Sequence, residues 1–124
     1  MNILGVDYGE RKIGLAISSG FLATPLGIEE NTKNIGEKIK IICQREQIGK
    51  IVIGLSEGKM AIRQKEFGQK LTKACEIPVE FWDETLTSKE ALRKMIEAGV
   101  RQKKRRREDA AAAALILQSF LDAQ

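Results

Sequence analysis

The sequence predicts an α/β fold in a single domain, and three observations carry that expectation. Residues 2–18 (NILGVDYGERKIGLAIS) read as a β-hairpin, two apolar arms joined by the turn residues Tyr8, Gly9, Glu10 and Arg11. Residues 51–55 (IVIGL) form a short continuous apolar run, the kind that is buried on both faces of a parallel sheet. Around these runs, apolar residues return at helical spacing. At 124 residues the chain has the size of one domain that buries most of its surface in one core. Its 43% hydrophobic and 31% charged residues are the composition of an ordinary soluble globular protein.

The elements follow in order. In the first arm, Ile3, Leu4, Gly5 and Val6 suit a buried strand, and the period of two puts Asp7 on the face of Ile3 and Gly5. A carboxylate there is costly unless something binds it. Hydrogen bonds from the turn that follows are the plainer way to satisfy it. The second arm carries Ile13, Leu15 and Ile17 on one face. Residues 20–28 read as a third strand, which Pro25 assigns to an edge or a bulge. Across residues 32–47, Ile35, Ile39, Ile42 and Cys43 recur at helical spacing opposite Lys33, Glu37, Lys40 and Gln44, so this helix lies on a sheet.

After the strand at 51–55 comes Ser56-Glu57-Gly58-Lys59, which looks superficially like a phosphate loop. Only three residues separate Gly54 from Gly58, and Met60 stands where a Ser or Thr is required, so it is a βα loop that could face a ligand. A second helix at 60–76 turns Phe67, Leu71, Ala74 and Cys75 inward. Residues 79–82 form a strand that delivers Asp83 and Glu84 at its C-terminal end, where open α/β sheets place their sites. Thr87 and Glu90 make a capping box for a third helix that buries Leu92, Met95 and Ile96 and stops at Gly99. A basic segment at 100–107 is expected to be mobile, and a last helix begins at Glu108 or Asp109 and runs through alanines to Leu121.

The chain contains no histidine, which removes Ser-His-Asp and Cys-His catalysis, imidazole base chemistry and the usual zinc sites. Acid–base or metal chemistry must rest on carboxylates, lysines or the substrate. Cys43 and Cys75 fall inside helical patterns and read as buried thiols of a reducing cytoplasm. No signal peptide or membrane-spanning run is visible, so a cytoplasmic location without a membrane partner is expected. The net charge of +4 is local: Lys103, Lys104, Arg105, Arg106 and Arg107 supply five positive charges, and the rest of the chain is close to neutral. Such a block suits phosphate binding, although runs of this kind are often solvated loops.

Three acids could converge. Asp109 shares a helical face with Ala112, Ala113, Ile116 and Phe120, and the alanines let that helix approach the strands closely. A place in the first turn for the helix dipole explains its position along the helix, but not its face. One acid from a first strand, one from the Asp83-Glu84 pair ending a later strand and one opening a C-terminal helix describe a hard-cation site suited to Mg²⁺ or Mn²⁺.

These residues resemble the YqgF-type (RuvX-like) proteins, related to the RuvC Holliday-junction resolvases in the ribonuclease H-like superfamily. The matching motifs are GVDYGERKIGLA at 5–16, IVIGL at 51–55, DETLTS at 83–88 and DAAAAALILQSFL at 109–121. They occur in the family's order and cover most of the chain. The resemblance implies a ribonuclease H-like α/β fold: a mixed five-stranded sheet, three antiparallel strands then parallel strands, with helices on both faces. It implies a nuclease that matures the 5′ end of pre-16S ribosomal RNA in ribosome biogenesis, with Asp7, Glu84 and Asp109 as metal-binding acids. Asp83 remains the alternative to Glu84, because sequence leaves the strand register open. The chain departs from the family pattern at Thr85, where an arginine is usual. It departs again at Ser56-Glu57-Gly58, which replaces a proline-containing Asp-Gly loop.

The expected activity is therefore phosphodiester hydrolysis with Mg²⁺ or Mn²⁺. Lys103, Lys104, Arg105, Arg106, Arg107, Lys12 and Lys59 are candidates for holding nucleic-acid phosphates. Aromatic residues make up 5% of the chain, too few to suggest a base-stacking platform. Partners would be precursor rRNA, branched DNA or a pre-ribosomal particle, bound by a monomer or homodimer. A Holliday-junction DNA endonuclease using the same acids, a non-catalytic nucleic-acid-binding protein of the same fold and, less fittingly for one domain, a sugar-kinase or actin-like ATPase are the rival readings.

Overall fold

The computed structural model describes residues 1–84 and 104–124, and the side chains of these except at 104–109. The elements are β1 (Asn2–Tyr8), β2 (Lys12–Ser18), β3 (Ala23–Glu30), α1 (Ile35–Arg45), β4 (Ile48–Leu55), α2 (Lys59–Cys75), β5 (Val79–Asp83) and α3 (Lys104–Asp122). The five strands form one sheet in the order β3-β2-β1-β4-β5. β1, β2 and β3 pair antiparallel, and β4 and β5 join β1 in parallel. This is the mixed five-stranded sheet expected, with the hairpin first and the parallel strands after.

Alternation along the strands sorts the core into two layers. Leu4, Val6, Ile13, Leu15, Ile51 and Ile53 face α1 and α2, whose inward residues include Ile39, Ile42, Phe67 and Leu71. Ala16, Val52 and the partly buried Ile3 and Trp82 face α3 through Ala113, Ile116, Leu117 and Phe120. Helices on both sides explain why β4 reads as an unbroken apolar run rather than an alternating one. Pro25 lies on β3, an edge strand whose register against β2 shifts at Leu15/Ala16, both of them places where a strand tolerates proline.

Several boundaries differ from the expectations. β4 begins at Ile48, three residues before the apolar run at 51–55, so Gly49 and Lys50 lie inside the strand rather than between it and the first helix. α3 begins at Lys104, four residues before Glu108, so residues 104–107 belong to its first turn. A helix start is hard to read where basic residues, which propagate a helix well, precede the apolar stripe. The capping box at Thr87 and Glu90, the helix after it and residues 100–103 lie outside the described residues. Cys43 is buried, but Cys75, at the end of α2, is only partly so, and both are free. A hydrogen bond with Cys75, and then burial, push the Cys43 thiol upward. Among the described residues, no helix is long and apolar enough to cross a membrane.

One buried amide locks α3 to the sheet. Gln118 is fully buried; its Oε1 accepts from the Ala23 N–H at 2.9 Å, and its Nε2 donates to the Phe21 carbonyl at 2.9 Å and to Asp122 at 3.1 Å. Gln118→Leu keeps most of the volume and strands the Ala23 N–H. The expected cost is about 1–3 kcal/mol in urea denaturation, together with faster amide exchange at Ala23.

Candidate active site

Asp7 reaches the site because of what lies on either side of it in β1. Tyr8 points to the opposite face, where its ring meets Phe67 at 4.9 Å between centroids. Ile3 and Gly5 share the face of Asp7, and at Gly5 the backbone of α3 comes so close that an added Cβ would lie 3.0 Å from the Ala113 carbonyl. The turn that follows is held in place. Asn31 Nδ2 donates to the Gly9 carbonyl at 2.9 Å, the Asn31 N–H donates to the Arg11 carbonyl at 2.8 Å, and Glu10 pairs with Arg63 of α2. The C-terminal end of β1 is thereby fixed against α2 and the end of β3.

Glu84 arrives from β5 by the same alternation. Trp82 faces α3, donating its indole N–H to Ser119 Oγ at 3.0 Å and meeting the Phe120 ring edge-on at 5.6 Å. Two residues on, Glu84 falls on that face as well, whereas Asp83 is exposed. Asp7, Glu84, Ala112, Leu115 and Ile116 line one open cavity of about 300 Å³. Asp83 is not among the lining residues, so the structure brings together Asp7 and Glu84.

The electrostatics of this cavity come from two negative groups over an apolar floor. Burial, and then the charge of Glu84, push the Asp7 carboxyl up to about 6. Such a pair fits a divalent cation: hard oxygen donors, like charges in one cavity, and a water-accessible opening. Among the described residues no group of three or more His, Cys, Asp and Glu stands together. The third candidate, Asp109, lies on α3 three residues before Ala112 and seven before Ile116, on the helical face that lines the cavity; its side chain is outside the described set.

The loop after β4 contributes more than its sequence suggested. Ser56 Oγ donates to Glu84 Oε2 at 3.0 Å, and Gln64, almost fully buried, holds Ser56 through its backbone N–H at 2.7 Å and its hydroxyl at 3.0 Å. Gln64 was legible as a glutamine on the inward stripe of α2, spaced three, four and seven residues from Phe67, Gly68 and Leu71. Lys12 opens β2 and Lys59 opens α2, both exposed and both at the end of the sheet where Asp7 lies. Lys103 is outside the described residues, and Lys104, Arg105, Arg106 and Arg107 are placed only by the α3 backbone.

Comparison with known proteins agrees with this architecture. A protein named "Putative pre-16S rRNA nuclease" from Syntrophomonas wolfei subsp. wolfei is 39% identical, covering 98% of this chain and 94% of its own length. One of the same name from Pelotomaculum thermopropionicum is 40% identical over 100% of this chain and 88% of its own. The T. thermophilus RuvC in complex with Holliday junction substrate has the same fold, with a TM-score of 0.73 at 13% identity over 99% of this chain and 94% of that one. The RuvX family, described as Holliday junction resolvase, matches residues 1–123, and the chain belongs to that family.

Proposed function

We propose that the protein is a divalent-metal-dependent nuclease that hydrolyses phosphodiester bonds at the 5′ end of pre-16S rRNA. The observation that carries this reading is the cavity in which Asp7 of β1 and Glu84, the residue after β5, face α3 with the Asp7 carboxyl raised to about 6. Asp7 and Glu84 would hold the cation, and Asp109 would complete the acid set from α3, the helix that they face. When bound, Mg²⁺ or Mn²⁺ supplies Lewis-acid neutralisation of charge at the scissile phosphate and polarises the attacking water. The chain's own residues set the stage. Asp7 and Glu84 are fixed by strands on either side of β4, and Ala112, Leu115 and Ile116 limit water on one side of the cavity.

Lys12 and Lys59 would hold phosphates flanking the cut, and the basic run at 103–107 would add affinity. Double charge reversal, Lys12→Glu with Lys59→Glu, is expected to weaken RNA binding by about tenfold or more at 0.1 M salt. It should also flatten the slope of log K against log salt by roughly 0.7 for each phosphate that is no longer neutralised, read by fluorescence anisotropy across a salt series.

A radiolabelled precursor 16S 5′-end RNA and a four-way DNA junction, each incubated with Mn²⁺, Mg²⁺ or chelator, test the reading. Metal-dependent cutting of the RNA, absent in Asp7→Asn protein, is the expected result. Preference for the junction would favour the second reading, a resolvase-type DNA endonuclease, which the description of the matching family supports. Salt-sensitive binding that survives Asp7→Asn with no cutting in any condition would indicate a non-catalytic binding protein.

A further inference from the structure

The hydrogen bonds behind Glu84 have a fixed direction. Gln64 Oε1 accepts from the Ser56 backbone N–H at 2.7 Å, and a backbone N–H can only donate, so the amide oxygen must face it. That orientation puts the Gln64 NH₂ against Ser56 Oγ at 3.0 Å, where it donates to the hydroxyl. The hydroxyl has one proton, and with Gln64 on its lone pair that proton goes to Glu84 Oε2 at 3.0 Å. Gln64 is 1% exposed, so neither half of its amide can exchange these partners for water without a cost. The other carboxylate oxygen, Oε1, lies over Gly54 beside Ile116, a lining residue of the cavity; a Cβ at Gly54 would meet both.

We propose that Ser56 and Gln64 are positioning residues, a one-way hydrogen-bond relay that pins Glu84 Oε2 and so presents Oε1 to the cavity shared with Asp7. The inference rests on the reading of Asp7 and Glu84 as cation ligands. Immobilising a ligand carboxylate through one oxygen is how groups behind a metal site set its affinity.

Mn²⁺ titrated calorimetrically into metal-free wild type, Ser56→Ala, Ser56→Thr, Gln64→Met and Asp7→Asn proteins tests this, with kcat and KM for precursor RNA measured beside it. Ser56→Ala is expected to weaken Mn²⁺ binding by about 10–100-fold and to lower kcat while leaving KM for RNA in place. Ser56→Thr, which keeps the hydroxyl, should restore binding to near wild type, a rescue that a purely structural role would not show. Gln64→Met, near-isosteric but unable to hold Ser56, should reproduce the loss. Should it fail to fold, the alanine and threonine variants at Ser56 decide alone. Wild-type Mn²⁺ affinity in Ser56→Ala alongside lost affinity in Asp7→Asn would overturn the relay and leave the metal reading standing. Unchanged Mn²⁺ binding in both would overturn the metal reading, and the relay with it.

Discussion

Asp7→Asn protein is expected to cleave at least about 10³-fold more slowly than wild type at saturating Mn²⁺, and yet to melt at a higher temperature when both are metal-free at pH 8. The two effects have one cause. Burial and the neighbouring charge of Glu84 raise the Asp7 carboxyl from an ordinary 3.8 to about 6. Below pH 3.8 the group is protonated in the folded and unfolded chain alike and contributes nothing. Between 3.8 and about 6 the unfolded chain loses its proton first, so stability falls as pH rises, and above 6 the penalty is complete. For a half-buried group screened by solvent that penalty is about 1–2 kcal/mol. Asparagine cannot ionise and escapes it, which for a chain of this size amounts to roughly 4 °C per kcal/mol in Tm.

At pH 4 the two proteins should melt together, and Mn²⁺ should close the gap at pH 8 by stabilising wild type alone. Melting curves at both pH values with and without Mn²⁺, run beside the cleavage assay, are the check. A less stable Asp7→Asn at pH 8 would mean that hydrogen bonds satisfy the native carboxylate and that it has no need of a cation. A carboxylate kept at a cost in the metal-free protein is what a site selected for its ligand would show.

The strands were legible because their periods are short and their neighbours decisive. Ile3, Gly5 and Asp7 had to share a face whichever way the sheet was packed, and IVIGL could be continuous only with helices on both sides. Glu84 against Asp83 was not legible, since the choice depends on Trp82 facing α3, a tertiary contact with Ser119 and Phe120. Nor was the partnership of Ser56 with Glu84, because residues 28 apart in sequence meet only through the parallel pairing of β4 and β5. The start of α3 was missed for a different reason: its first turn is basic and carries no apolar periodicity to mark it. What sequence could supply was the set of acids and the strands that deliver two of them; the contact of Trp82 with α3 then determined which of the adjacent acids faced the cavity.

Two glycines on neighbouring strands should respond in opposite ways to the same added methyl group. Gly5→Ala would set a Cβ 2.8 Å from Leu117 Cβ and 3.0 Å from the Ala113 carbonyl. Neither atom can rotate away, so α3 itself must lift from the sheet. The expected cost is about 1–3 kcal/mol in denaturant unfolding, and cleavage should fall too, because the displaced helix carries Ala112, Ile116 and the backbone of Asp109. Gly54→Ala instead meets the far end of the Ile116 side chain and Glu84 Oε1, at 3.0 Å for the latter. Both are side-chain atoms rather than backbone, so the fold should lose less than in Gly5→Ala, while the carboxylate is pushed from the place that Ser56 gives it and Mn²⁺ affinity falls about tenfold or more. Unfolding and Mn²⁺ calorimetry on the two variants separate the cases. If Gly54→Ala were the less stable protein and bound Mn²⁺ normally, Glu84 Oε1 would not be the oxygen that the cavity uses. If Gly5→Ala were as stable as wild type, the close seat of α3 on β1 would be slack enough that small residues there are not what sets its distance from Asp7.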